Sequence, residues 1–188
     1  SDLGVLMNRH STLVSYLETV LRAVCGRIGV PGGNVLPSSV FGLGAHSDER
    51  DPDTWRTLAT DFPAITGLYP PNVMPEEILS DHPQRLRAVI VSAANPLRSF
   101  ADTTAYEEAF AELDLLVTID VAMTETAAAS QYVLPDLSGF ETWNTGLILG
   151  GYPKVFFQIN QPSVEPEGDQ LEAAEIFTRL ADRLGLVP

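Results

Sequence analysis

The chain has 188 residues, enough for one domain with a real core, and its 45% apolar and 19% charged residues exclude global disorder. The formal net charge of −14 argues against nucleic acid and anionic lipid as partners, because both recruit cationic surfaces. It leaves phosphate-bearing cofactors open, since backbone N–H groups at helix starts hold phosphates without lysine.

In chain order, Leu3 to Met7 reads as a short buried strand. This apolar opening directly after Ser1 reads as the interior of a longer polypeptide. Ser11 is placed to cap a helix, and Leu13, Val14, Leu17, Val20, Leu21 and Val24 recur at helical spacing as one apolar stripe. Cys25 lies on that stripe and is expected to be a buried structural thiol. As the single cysteine it excludes an intrachain disulfide or a cysteine-ligated cluster within these residues. Gly26 suits a left-handed helix end, and Pro31-Gly32-Gly33 predicts a tight loop. From residue 35 to 86 the periodicity is poor, with short helical turns expected at Trp55 to Leu58 and at Pro75 to Ser80.

Order returns at Ala88. Ala88 to Val91, Leu115 to Ile119 and Tyr132 to Leu134 are short apolar runs of buried-strand type. Between them, Asp102 is positioned to cap a helix carrying Tyr106, Ala109, Phe110 and Leu113. Thr124 is positioned to cap a short alanine-rich helix. Strand, helix, strand, helix, strand with short links predicts a parallel sheet with right-handed crossovers. A further strand is expected over Val155 to Ile159. A last helix from about Gln170 should turn Leu171, Ala174, Phe177, Ala181 and Leu184 inward and stop at Gly185. The predicted fold is α/β: a three-layer, doubly wound, mostly parallel Rossmann-like sheet with one long irregular segment. The parts are 1–34 (strand and helix), 35–86 (irregular), 87–135 (βαβ core) and 136–188 (loop, strand and helix), forming a single domain. No run approaches the ~20 apolar residues of a membrane helix, so no membrane insertion is expected.

Ligands of open parallel sheets bind at the C-terminal ends of the strands. Two loops leave such ends, Ser92 to Leu97 and Asp120 to Thr124. Small residues in the first let a ligand approach the backbone, and Asn95 offers a donor and an acceptor. Asn95 before Pro96 is equally a common turn pair. Asp120 projects at the rim, where a carboxylate accepts paired N–H bonds from a guanine edge or bonds from ribose hydroxyls; it also reads as a cap for the next helix. Thr124 can cap that helix and touch a ligand. Glu125 and Glu141 read as helix-start and loop charges rather than acid–base groups. No GxGxxG follows a strand, no Walker loop is present, and His10, His46 and His82 lack metal-ligand spacing.

Asn95-Pro96-Leu97, the strand ending in Asp120, Met123-Thr124-Glu125-Thr126-Ala127, Tyr132-Val133-Leu134-Pro135 and Glu141 follow one another in a set order. That series resembles the molybdopterin oxidoreductase family, of dimethyl-sulfoxide-reductase and formate-dehydrogenase type. Pro166-Glu167-Gly168 before the last helix, and the stretch from Ser11 to Pro31-Gly32-Gly33, resemble it too. The resemblance implies a domain holding one guanosine arm of a bis(molybdopterin guanine dinucleotide) cofactor with molybdenum or tungsten. It implies Asn95 near the nucleotide, Asp120 on the guanine base and Thr124 beside it. Asn8 and Arg9 match a loop near the pterin and metal. No catalytic residue and no metal ligand is implied within the chain, and an iron–sulfur cluster would lie elsewhere in the parent. The implied partners are the remaining domains of that parent and an electron-transfer partner. A cytoplasmic location is expected, with an export signal conceivable upstream. Two other readings stay open: a molybdenum-free scaffold in the large iron–sulfur subunit of an NADH dehydrogenase, and a stand-alone nucleotide-binding module.

Overall fold

The structure, a computed structural model, describes residues 7–34, 51, 53–64, 67–145 and 157–186. The strand expected at Leu3 to Met7 lies outside them except for Met7. The strand expected over Val155 to Ile159 is described only from Phe157 onward. Contacts divide the chain into two compact units. One is Ser1–Leu43 with Thr145–Gln158, and the other is Gly44–Asn144 with Ile159–Pro188.

In the first unit, helix α1 spans Ser11–Val24. His10, not Ser11, is its N-cap, and no side chain closes the cap. The shift comes from Asn8, whose side-chain oxygen accepts the His10 N–H at 2.8 Å and winds the chain one residue early. Gly26 ends the helix at φ +62°, as a left-handed cap requires. At Gly33 a Cβ would stand 2.4 Å from the Arg27 carbonyl oxygen, so only glycine lets this loop close. No residue of α1 is buried. Its apolar stripe is exposed except for the half-buried Val14, and Cys25 is exposed too, against the expectation of a buried thiol.

The second unit is built on three parallel strands in the order β1-β2-β3. These are β1 (Ala88–Ser92), β2 (Leu115–Asp120) and β3 (Tyr132–Pro135). Ala88 faces Leu115 across the first pair, and Val117 faces Tyr132 across the second. The middle strand carries four consecutive buried residues, Leu116 to Ile119, as a strand covered on both faces should. β1 is more open than its sequence predicts, with Ile90 46% exposed, because it stands at the edge of the sheet.

The crossovers are helical. After β1 come α3 (Pro96–Ser99) and α4 (Thr103–Ala111), and after β2 comes α5 (Glu125–Ala129). Asp102 caps α4 as predicted, accepting the Ala105 N–H at 3.1 Å. Upstream, α2 (Met74–Leu79) forms where a helical turn was expected, after a 3-10 turn at Pro71–Val73. The stretch from Trp55 to Leu58 is not helical; Arg56 instead bridges Pro63. Ile78, Val91, Leu97, Tyr106, Ala109, Phe110, Leu113 and Leu116 make one core. At its centre the Tyr106 ring meets Phe110 edge-on at 5.4 Å. The Tyr106 hydroxyl donates to the Pro71 carbonyl, and burial pushes its pKa up to about 12.

Glu77 of α2 is 5% exposed and still charged. It accepts the backbone N–H groups of Leu58, Ala59 and Thr60 at 2.7 to 3.0 Å, and the Thr60 hydroxyl at 3.0 Å. Burial alone would raise this carboxyl, but those bonds outweigh it and leave it below its ordinary value. One buried side chain thus organises a loop that periodicity could not read.

The last helix, α6, is Ala173–Arg183, and Gly185 follows it at φ +69°. Ile176 is its buried residue. Phe177 is 42% and Leu184 71% exposed, so the inward stripe drawn from the sequence is wrong. Leu171 precedes the helix and bridges Asp136 in parallel, and the Asp136 carboxylate accepts the Ala173 N–H at 2.9 Å. That contact, made 37 residues away, starts the helix later than the sequence implies. Among the described residues no helix is long and apolar enough to cross a membrane.

Candidate functional site

The strand register brings the two predicted loops together. Ser92 stands opposite Ile119, and Asp120 opposite Pro135, so all three strands end at one rim. The Ala93 N–H donates to the Ile119 carbonyl at 2.9 Å, and the Asp136 N–H to the Asp120 carbonyl at 3.2 Å. Ala93 then turns the chain at φ +50°, a left-handed conformation that non-glycine residues seldom adopt.

Asp120 is half-buried and does not cap α5. One carboxylate oxygen accepts the Ala122 N–H at 3.0 Å and shapes the loop. The other oxygen has no partner among the described residues. Val121 and Met123, which follow it in the same loop, are 62% and 72% exposed, so apolar side chains stand open on the loop that Asp120 begins. Thr124 is the cap of α5, its hydroxyl accepting the Ala127 N–H at 3.1 Å. The hydroxyl proton is left to donate.

Asn95 has a larger structural task than its sequence shows. Its side-chain oxygen accepts the Thr126 hydroxyl at 2.8 Å and the Thr126 N–H at 3.2 Å. Its amide nitrogen donates to Glu125 at 2.7 Å. Arg98 grips the other Glu125 oxygen at 2.7 Å. Thr126 is fully buried and accepts the Leu97 N–H at 3.2 Å. Hydrogen bonds from Asn95 first, then Arg98, hold the Glu125 carboxyl down to about 2. Glu125 is therefore ionised across the physiological range.

This network was not foreseen. Asn95 is the N-cap residue of α3 at the end of one rim loop, Arg98 lies three residues on within that helix, and Glu125 begins the helix after the other loop. Opposite charges on two loops that share a sheet edge were the available signal.

Asn8 lies in the first unit, apart from this rim in the division of the chain. Its described role is to accept the His10 N–H. Glu141 braces a loop, accepting the Ser138 N–H at 2.9 Å and the Gln170 amide at 3.3 Å. Bonds from Ser138 keep its carboxyl below the usual range. A mostly apolar groove of the second unit, about 730 Å³, is lined by Trp55, Leu58, Tyr69, Met74, Leu86 and Phe100. None of Asn95, Asp120 or Thr124 reaches it, so the rim and the groove are separate features.

Comparison with known proteins agrees with the ordered motifs. A formate dehydrogenase, formate dehydrogenase H of Escherichia coli, is 30% identical over 89% of this chain and 25% of its own length. The protein named "Probable oxidoreductase YyaE" of Bacillus subtilis is 28% identical over 97% of the chain and 26% of its own. A trimethylamine-N-oxide reductase of Haemophilus influenzae is 24% identical over 97% and 25%. The chain thus spans about a quarter of the length of these relatives. Acetylene hydratase from Pelobacter acetylenicus shares the fold at a TM-score of 0.55 and 28% identity, over 62% of this chain and 16% of that one. The molybdopterin oxidoreductase family model matches residues 4–183. The chain belongs to the molybdopterin oxidoreductase family.

Proposed function

We propose that this domain holds one guanosine arm of a bis(molybdopterin guanine dinucleotide) cofactor in a molybdenum or tungsten oxidoreductase. The observation that carries the reading is Asp120. Its carboxylate, at the C-terminal rim of a parallel sheet, has one oxygen fixed by Ala122 and one with no partner among the described residues. A carboxylate held there suits the N–H edge of guanine, with Val121 and Met123 offering apolar cover to the base. The Thr124 hydroxyl proton supports the same ligand from beside it. Asn95 has one amide hydrogen beyond those committed to Glu125, so its share in binding is the smaller one.

When bound, such a cofactor supplies redox chemistry at its metal. The residues of this domain bind and orient. Their contribution is to fix one end of the cofactor, so that its reactive end is presented in a set direction. Asn8, in the other unit, is proposed to lie toward the pterin. The relatives' names include a dehydrogenase, a reductase and a hydratase, so family membership alone leaves the reaction open. The proposed partners are the other domains of the full-length protein and an electron-transfer partner, and a cytoplasmic setting is proposed with them.

The test is cofactor content of the full-length protein, wild type against Asp120→Ala, read as pterin and metal per polypeptide. Occupancy is expected to fall at least several-fold. Unchanged occupancy would remove Asp120 from the site.

A further inference from the structure

The rim holds its two loops with an arrangement that packing alone does not call for. Asp120 to Thr124 is five residues long and tied at both ends. At its start, Asp120 lies in register with Pro135, and its own oxygen takes the Ala122 N–H. At its end, Thr124 caps α5, and the next two residues, Glu125 and Thr126, are bound to the other loop. Asn95 spans both, donating to Glu125 and accepting twice from Thr126. Arg98 closes the set on the second Glu125 oxygen.

A carboxylate that receives Asn95 on one oxygen and Arg98 on the other restricts the approach of the two loops. Neither bond exists if α5 slides or rotates. Thr126 adds a buried pivot beneath them, since its hydroxyl donates to Asn95 and accepts from Leu97. Ala93, held in the left-handed conformation, is the bend that aims the first loop at this clamp.

We propose that Glu125, with Arg98 and Asn95, is a positioning clamp that fixes the far end of the Asp120–Thr124 loop and thereby holds Asp120 in place for the cofactor. This rests on the guanosine-arm reading given above. Glu125 itself touches no ligand in this proposal; both its oxygens are engaged by the protein. Its ionisation across the physiological range keeps the clamp closed wherever the enzyme would work.

The experiment uses the full-length protein and two readouts: pterin and metal per polypeptide, and amide hydrogen exchange of residues 93–98 and 121–127. Glu125→Ala is expected to speed exchange in both segments and to lower occupancy several-fold. Arg98→Gln removes one arm at the surface and cannot threaten the fold, so it should give a smaller change of the same kind. Asp120→Ala is expected to lower occupancy while leaving exchange in residues 93–98 as in wild type. If Glu125→Ala and Arg98→Gln loosen the loops but leave occupancy intact, the clamp is structural only and the proposal fails. If they lower occupancy with exchange unchanged, they touch the cofactor directly, and the proposal fails in another way. If Asp120→Ala keeps full occupancy, it is the guanosine-arm reading that falls, whatever the other two variants do.

Discussion

Two stretches of apolar sequence, equally clear on paper, come to different ends. β2 buries Leu116, Val117, Thr118 and Ile119, while α1 buries none of its residues. Both read as core: the strand by its continuous apolar run, the helix by its stripe. The strand is flanked by β1 and β3, and its Leu116 packs in one core with residues of α2, α3 and α4. The stripe of α1 finds no equivalent cover among the described residues, and Leu17 and Leu21 are 54% and 63% exposed. Periodicity reports which face wants burial. It does not report whether the covering element lies nearby in the chain.

The sharpest way to test that difference is a pair of truncations in the full-length protein. Tyr106→Ala, at the centre of the sheet core, should cost about 3–5 kcal/mol by urea denaturation. It removes a fully buried ring, two aromatic contacts and the bond to the Pro71 carbonyl. Leu17→Ala should stay within about 0.5 kcal/mol if α1 is as open in the whole protein as it is here. A loss of about 2 kcal/mol or more at Leu17 would show that another part of the polypeptide covers the stripe.

A second contrast lies inside the sheet unit, between regular elements and the loop at residues 57–62. Here Glu77 does what a secondary-structure ladder does elsewhere. Glu77→Ala strands three backbone N–H groups and a hydroxyl, and should cost about 2–3 kcal/mol. The loss should appear as faster amide exchange at Leu58 to Thr60, with β2 still protected. If β2 lost protection to the same degree, loop and sheet would be one cooperative unit rather than two.

These cases explain what could be read from the sequence. The three strands, their parallel order, the caps at Asp102 and Thr124 and the core residues of α4 were legible because each follows from neighbours within a few positions. Ser11 as a cap failed by one residue, because the Asn8 side chain closes a turn just ahead of it. The start of α6 fell three residues late because Asp136, distant in sequence, takes the Ala173 N–H, and of its apolar residues it is Ile176 that is buried. At the rim, Thr124 caps α5 as its sequence suggests, whereas Asn95 reads from sequence as a donor and acceptor or as half of a turn pair. Its true partners, Glu125 and Thr126, lie about 30 positions onward and face it only once β1 and β2 pair in register.

The smallest expected effect is also the one most specific to the rim. The Glu125 side chain is about half exposed, and its carboxyl is held near 2 in the fold against 4.5 for a free glutamate. A depressed carboxyl stabilises the fold above its unfolded value and loses that contribution as pH falls through its folded value. So the clamp should contribute fully at pH 5 and above, and fade between pH 4.5 and about 2. Glu125→Gln removes the titrating group while keeping the size of the side chain. The difference in melting temperature between wild type and Glu125→Gln should therefore be small but constant from pH 8 to 5, and should close as the pH is lowered further. Exposure weakens the ion pair through solvent and salt, so raising the salt should shrink the same gap at pH 7. A gap insensitive to both pH and salt would mean that Asn95 and Thr126, not the charge on Glu125, hold the two loops together, and that this rim is braced like the rest of the sheet.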